Sequence, residues 1–292
     1  LTVGLHEAER YDSVLDVERC LLQSDHMNAL LDEARRFFAE SGLAAWEQDS
    51  GEGLLRFLML REGYRTGEGM VNIVTSSPAV SELAPLAARL AARVPRTTSV
   101  VMNVNPKKAS VAVGVEEHLL GGRDHIRESV GGLEFQVSAN SFFQTNTAQA
   151  ERLFALVLDS AGLEGGETVL DLYSGTGAIS LQLAGRCRWV YGVELSQAAV
   201  DDAAVNATAN GMVVHWARDA AEHQAREAGL AATADDDAVA LVLCSGLDQL
   251  GGRIANTAGD SVIAEFPKAV AAVRCAVEVQ TALRQRNAGL PP

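Results

Sequence analysis

The sequence predicts an α/β protein built in two unlike parts and a short tail. Three observations carry that expectation. The chain has 292 residues, 48% of them hydrophobic, enough for one large or two ordinary domains with a real core. Residues 1–145 mix short strand-like runs with helices, as a smaller α+β unit does. Residues 146–245 alternate short apolar runs with helical patterns, the signature of βαβ units on a largely parallel sheet. Residues 246–292 change character again, so the expected divisions are 1–145, 146–245 and 246–292.

Taken in order, MNALLDEARRFFAESG reads as a helix, with Met27, Leu30, Leu31, Ala34, Phe37 and Phe38 at helical spacing. GLLRFLMLREG and MVNIVTSS are apolar runs bounded by turn residues and predict neighbouring strands. Pro78 is expected to open a helix reaching about Arg93, because proline suits a first turn. VVMNVNP and LEFQVS supply further strands, and Thr147 to Ala161 a further helix. Then come TVLDLYSGTGAISLQLAG, WVYGVELSQAAVDDAAVNATANG and VVHWARDAAEH, each a strand leading into polar or helical sequence. AREAGLAATADDDA reads as a solvated connection. GGRIANTAGDSVIAEFP reads as strand, turn and strand, and KAVAAVRCAVEVQTALRQRN as one helix ahead of the stop AGLPP.

The charge balance is acidic, 24 basic against 38 acidic residues for a net −14, which disfavours a binding mode dominated by counterion release from nucleic acid. Local basic patches remain open: Arg35–Arg36, Lys107–Lys108 and Arg123–Arg127 are candidates for RNA phosphates, with solvated surface as the ordinary alternative. No segment approaches 18 uninterrupted apolar residues, so no membrane partner is expected, and LTVGLHEAERYD fits neither a signal peptide nor an anchor. Leu1 stands where an initiating Met would, and the left edge is therefore not read as a natural start. Cys20, Cys187, Cys244 and Cys275 are scattered without a CxxC pair, which fits a reducing, cytoplasmic setting. The six histidines show no ligand spacing, and His118 and His125, either side of Gly121–Gly122, are expected in a loop.

The best chemical site begins at Val169. VLDLYSGTG puts Asp171 near the end of a strand, with Gly175 and Gly177 at the turn into a helix. Glycine lets backbone approach a ligand, and N–H groups at a helix start can receive a carboxylate. Glu194 ends the next strand, where an acid is placed to accept hydrogen bonds from ribose hydroxyls. The fingerprint is not GxGxxG, so the pair argues for a nucleoside cofactor rather than a standard dinucleotide site.

GLHEAERY, VERCLLQSDHMNALL, SANSFFQTNTAQAERLF, VLDLYSGTGAISLQLA, VYGVELSQAAVDDAAVNATANG and ARDAAE together resemble the SAM-dependent RNA (uracil-5-)-methyltransferase family over residues 4 to about 222. The resemblance implies an incomplete class I (Rossmann-like) methyltransferase domain, preceded by the smaller α+β domain and followed by a βαβ-like or β-hairpin-plus-helix tail. It implies S-adenosyl-L-methionine as cofactor and a uridine of tRNA or ribosomal RNA as substrate. Cofactor contacts would fall to Gln144, Tyr173 and Glu194, with Gly175 and Gly177 in the loop and Asp219 near the adenine end. Ala178 stands where some relatives are polar, and Phe142 and Phe143 would line the target-base pocket or pack. Trp189 and Trp216, in apolar runs, are read as packing residues.

The family's mechanism sets a strict test: a cysteine thiolate adds to uracil C6, C5 takes the methyl group, and a base removes the C5 proton. Its Asp-Pro-Pro-Arg and Ser-Cys-Asn segments do not occur in this sequence, so no catalytic residue is assigned. Cys244 in LVLCSG is the tempting substitute, but an apolar strand cysteine is a packing residue as a rule, and Cys275 reads as buried in a helix. Cys20 resembles the last cysteine of an iron–sulfur site, and one thiolate cannot assemble that site.

Residues 246–290 resemble instead the later part of a class III adenylate or guanylate cyclase domain, with Asp260 matching the second of two metal-holding aspartates. The first aspartate is absent, which argues against cyclase chemistry. The sequence thus reads as two truncated families joined near residues 223–250, with the apolar helix 268–287 available to cover an open sheet face. The leading expectation is an RNA uracil-C5 methyltransferase by ancestry. A catalytically silent SAM- or RNA-binding module and a small-molecule methyltransferase stand as alternatives. Which RNA is modified, and the oligomeric state, stay open.

Overall fold

A computed structural model describes residues 1–7, 10–108, 111–217, 253–258 and 261–265. The expectations at Asp219, Cys244, Asp260, Cys275, residues 223–245 and helix 268–287 lie outside the described residues. The chain divides into two compact units: Leu1–Glu128 with Ser138–Asn140, and Ser129–Val137 with the chain from Ser141 on. The architecture is α/β, a partial Rossmann-like parallel sheet together with a smaller α+β region.

In the first unit β1 (Gly4–Glu7) and β2 (Arg10–Asp16) pair antiparallel. Helix α1 (Asp25–Ser41) follows; the Ser24 hydroxyl accepts the Met27 N–H at its start, and Gly42, at φ 69°, ends it in the left-handed region. The six apolar residues read from the spacing are all buried. β3 (Leu55–Gly63), β4 (Glu68–Thr75), β5 (Thr97–Val104) and β6 (Glu116–Gly122) form one sheet in that order. β4 and β5 run parallel across helix α2 (Val80–Arg93), while both outer pairs are antiparallel. α1 and α2 close one core with Leu30, Phe38, Ile73, Leu83, Leu86 and Met102. Glu33, buried within it, accepts from Arg89 Nε at 2.6 Å and faces Arg93 at 3.3 Å, so the two helices are also joined by charge.

Two expectations need correction here. Pro78 lies before the cap residue Ala79 rather than in the first turn of α2, three residues beyond the end of β4 at Thr75. His118 sits on β6 and His125 opens β7 (His125–Val130), so neither is a loop residue. Gly122, at φ 76°, lets the chain finish β6 and turn directly into the next strand.

β7 pairs with β8 (Leu133–Ser138) in a two-stranded ribbon. In the second unit α3 (Thr147–Ala161) starts at Asn146, whose Oδ1 accepts the Gln149 N–H, and ends at Gly162 in the left-handed region. β9 (Thr168–Leu172), α4 (Ala178–Ala184), β10 (Trp189–Val193), α5 (Gln197–Ala209) and β11 (His215–Ala217) then make two successive βαβ steps. The sheet order is β11-β10-β9, all parallel, with Val169, Leu183 and Val190 at its core. β12 (Arg253–Ala258) and β13 (Ser261–Glu265) pair antiparallel, as the two strands expected of that stretch.

Candidate functional site

Parallel strands leave their carboxyl ends open to a ligand where the following loops diverge. At β9 that end is Asp171-Leu172, and the loop Tyr173–Gly177 turns back into α4. Two main-chain bonds tie the loop to the tip of β10: the N–H groups of Tyr173 and Ser174 donate to Val193 O at 2.8 and 3.2 Å. A third tie comes from Glu194, whose Oε2 accepts the Gly175 N–H at 3.0 Å while Oε1 accepts the Ser196 N–H at 2.9 Å. The Glu194 carboxylate is thus fixed by one bond to each oxygen, and further lone pairs are left on both.

Tyr173 carries the local strain. Its φ is 62°, in the left-handed region that costs a side-chain-bearing residue roughly 1–2 kcal/mol. Its side chain is 45% exposed, so the strain is not repaid by core packing. Gly175, at φ 54°, has no atom of the described residues within 4 Å of where a Cβ would stand, which leaves open space against the loop among them. Gly177 differs: a Cβ there would stand 2.7 Å from the Trp216 ring, which also lies 2.3 Å from the corresponding point on Gly192. Trp216 therefore packs as expected, as a floor beneath the glycine loop. The Ser174 hydroxyl is buried and has no hydrogen-bond partner among the described residues.

Asp171 does not point at open space. It is 1% exposed, and its Oδ2 accepts the Ser180 hydroxyl at 2.6 Å. Burial pushes its carboxyl up to about 6, with the Glu194 charge adding to the rise and the Ser180 hydroxyl and N–H opposing it. Asp171 thus occupies a donor of the first turn of α4 that would otherwise be free for a ligand carboxylate.

Tyr173, Gly175, Gly177 and Glu194 are brought together at the ends of β9 and β10. Gln144 is exposed, two residues before the Asn146 cap of α3, and forms no side-chain hydrogen bond to that cluster. Phe142 is 75% exposed, while Phe143 is half-buried with its ring 5.4 Å from that of Phe135. Sequence reasoning missed Ser180 and Ser196. The signal for Ser180 was a hydroxyl in the first turn after the glycines, the position that a preceding strand-end acid can reach.

Of the candidate phosphate ligands, Arg35 pairs with Asp16, Arg36 with Asp32 and Arg123 with Glu68. Lys107 and Lys108 are exposed and make no ion pair among the described residues. Cys20 and Cys187 are free thiols. Burial, and then Glu167, push the Cys187 thiol up to about 11, away from nucleophilic character. Among the described residues no group of three His, Cys, Asp or Glu could hold a metal ion, and no helix is long and apolar enough to cross a membrane.

The pattern of the tRNA (uracil-5-)-methyltransferase family matches residues 112–229. An uncharacterized RNA methyltransferase of Chlorobaculum tepidum is 41% identical over 211 residues, 72% of this chain and 44% of that protein. An uncharacterized RNA methyltransferase of Bacillus cereus is 35% identical over 212 residues, 73% of this chain and 46% of its own length. The chain thus spans less than half the length of these curated relatives. The crystal structure of the Pyrococcus abyssi tRNA (uracil-54, C5)-methyltransferase with S-adenosyl-L-homocysteine superposes with a TM-score of 0.66. It covers 90% of this chain and 71% of that one at 23% identity, a likeness of fold. The cyclase resemblance of residues 246–290 finds no support in these matches.

Proposed function

We propose, from the family-level match of this chain to the tRNA (uracil-5-)-methyltransferases, that residues 173–194 form an S-adenosyl-L-methionine site of an RNA uracil-C5 methyltransferase. The residues present suit that cofactor. Among the described residues the buried Ser174 hydroxyl has no partner and the space over Gly175 is open, and Glu194 keeps acceptor capacity at a strand tip. The observation that carries the reading is Glu194: a carboxylate already oriented by Gly175 and Ser196 can accept from the two ribose hydroxyls without first losing side-chain freedom. The exposed Tyr173 side chain offers an aromatic face, and its strained backbone is in keeping with a ligand-facing loop.

Gln144 is assigned to the same cofactor by resemblance, Asp219 to its adenine end, and Phe142 to the target base, where an exposed aromatic can stack. When bound, the cofactor supplies an electrophilic methyl group on a sulfonium. This chain's own residues hold it: Glu194 orients the ribose, and the Val193 carbonyl and Glu194 together keep the loop closed on β10.

Calorimetric titration with S-adenosyl-L-methionine, with Glu194→Ala and Glu194→Gln beside the unaltered protein, tests the reading. Binding should weaken at least about tenfold in Glu194→Ala, the loss of roughly 1.4 kcal/mol, and less in Glu194→Gln. A folded chain that takes up no cofactor would end the proposal.

The sequence itself favours one second reading, a cofactor-binding module without turnover, because the Asp-Pro-Pro-Arg and Ser-Cys-Asn segments are absent. Transfer of labelled methyl groups to uridine-containing tRNA or ribosomal RNA separates the two, since only the first produces labelled RNA.

A further inference from the structure

Helix α5 turns polar residues inward. Asp202 and Asn206 are buried and Asn210 is half-buried, spaced four apart on one face. Their partners lie in the segment 134–141, some 60 to 76 residues earlier. Asn210 Oδ1 accepts the Glu134 N–H at 2.9 Å, and its Nδ2 donates to Glu134 O at 2.7 Å. Asn206 Oδ1 accepts the Gln136 N–H at 2.7 Å, and its Nδ2 donates to Gln136 O at 3.3 Å. Asp202 accepts the Ser141 hydroxyl.

Each asparagine amide therefore pairs with both main-chain groups of one strand residue, as the peptide of a neighbouring strand would. The spacing permits it: four helical residues rise about 6 Å and two strand residues about 6.7 Å. β8 pairs with β7 on one side, and side-chain amides take the place of a strand on the other.

Asn206 makes one bond more. Its Nδ2 also donates to Thr176 O at 3.1 Å, inside the glycine loop. The same peptide plane offers its other end, the Gly177 N–H, to Ser174 O at 2.9 Å. Asn206 thus holds the carbonyl end of the plane that sets the Thr176–Gly177 geometry. Aspartate at this position keeps the acceptor for the Gln136 N–H and loses the donor to both the Gln136 and Thr176 carbonyls, and alanine removes the side-chain partner of all three main-chain groups.

We propose that Asn206 is a positioning residue for the glycine loop, one that couples it to the β8 segment running into Phe142–Gln144. The inference rests on the reading of residues 173–177 as a cofactor loop. Asn210, which stitches the same strand without touching the loop, is the built-in comparison.

Hydrogen exchange of the ligand-free protein reads the positioning directly. In Asn206→Ala and Asn206→Asp, the amides of Gly175 and Gly177 should exchange about tenfold faster. In Asn210→Ala acceleration should stay within residues 133–137. Titration with S-adenosyl-L-homocysteine should then show about tenfold weaker binding for both Asn206 variants and less than about twofold change for Asn210→Ala. Equal loop exchange in the Asn206 and Asn210 variants would overturn the inference, as would affinity that survives Asn206→Asp. If the unaltered protein binds no cofactor, the functional proposal falls, and the loop exchange rates still decide the role of Asn206. Should Asn206→Ala not fold, Asn206→Asp carries the same comparison.

Discussion

Asp171 is a fully buried carboxyl whose Oδ2 accepts the Ser180 hydroxyl, and keeping it ionised costs stability. With its carboxyl pushed from 3.8 up to about 6, the folded protein binds a proton over a range where the unfolded chain does not. Stability from this group therefore falls as pH rises through that window and is regained as pH drops below about 6. Relative to Asp171→Asn, the unaltered chain should gain about 2 kcal/mol of unfolding free energy between pH 7 and pH 4, read by urea titration at each pH. Parallel pH profiles for the two proteins would show that burial imposes no such cost. Gly192 tests the floor of the loop: an alanine there meets the Trp216 ring at 2.3 Å and should cost about 1–3 kcal/mol, part of it recovered by adding Trp216→Leu. Thermal unfolding of the single and double variants measures the recovery. Gly175 and Glu194 were legible in the sequence because strand, loop and acid follow one another closely. Asn206 was not, since its chemistry depends on Gln136 and Thr176, 70 and 30 residues away, which no local pattern announces.

Helices declared themselves through spacing and caps, and the caps differ in what they do. Ser24 accepts the Met27 N–H and also donates to Glu62 Oε1 at 2.9 Å, joining α1 to β3. Asn146 caps α3 through the Gln149 N–H. Ser24→Ala should therefore destabilise by about 1–2 kcal/mol and Asn146→Ala by about 0.5–1 kcal/mol, compared by chemical denaturation. Equal losses would mean that the Glu62 bond contributes nothing. Strands were legible where both faces are buried: β4, with Met70, Val71, Ile73 and Val74, is buried almost throughout and stands mid-sheet. β1, β2, β6 and β7 escaped: Gly4-Leu-His-Glu and Glu116-Glu-His-Leu-Leu-Gly-Gly lack β-branched residues, β2 and β7 intersperse theirs with charged residues, and all four stand at the edge of a sheet or in a two-stranded pair. Pro78 was misread for a different reason: proline fits a first helical turn and the extended residues before a cap equally well.

At the scale of the whole chain, a net −14 is compounded by internal pairing, since Arg35, Arg36, Arg89 and Arg123 are all engaged with carboxylates. Any RNA held by this chain should be held with few phosphate contacts. The expected log–log dependence of affinity on salt is no steeper than about −3, measured by filter binding from about 50 to 200 mM salt. A slope beyond about −6 would require a broad cationic face. The two-part α/β organisation was legible because its halves differ in rhythm; the path of the chain between them was not. The chain passes between its two units at 128/129, 137/138 and 140/141, so the segment 129–137, which holds all of β8 but Ser138, belongs with the second unit while joined at both ends to the first. A protease nick just after Asn140 would then cut the polypeptide without parting it. The amino-terminal fragment would keep Glu134 and Gln136 clasped by Asn210 and Asn206, and two bands on a denaturing gel should elute as one species under native conditions.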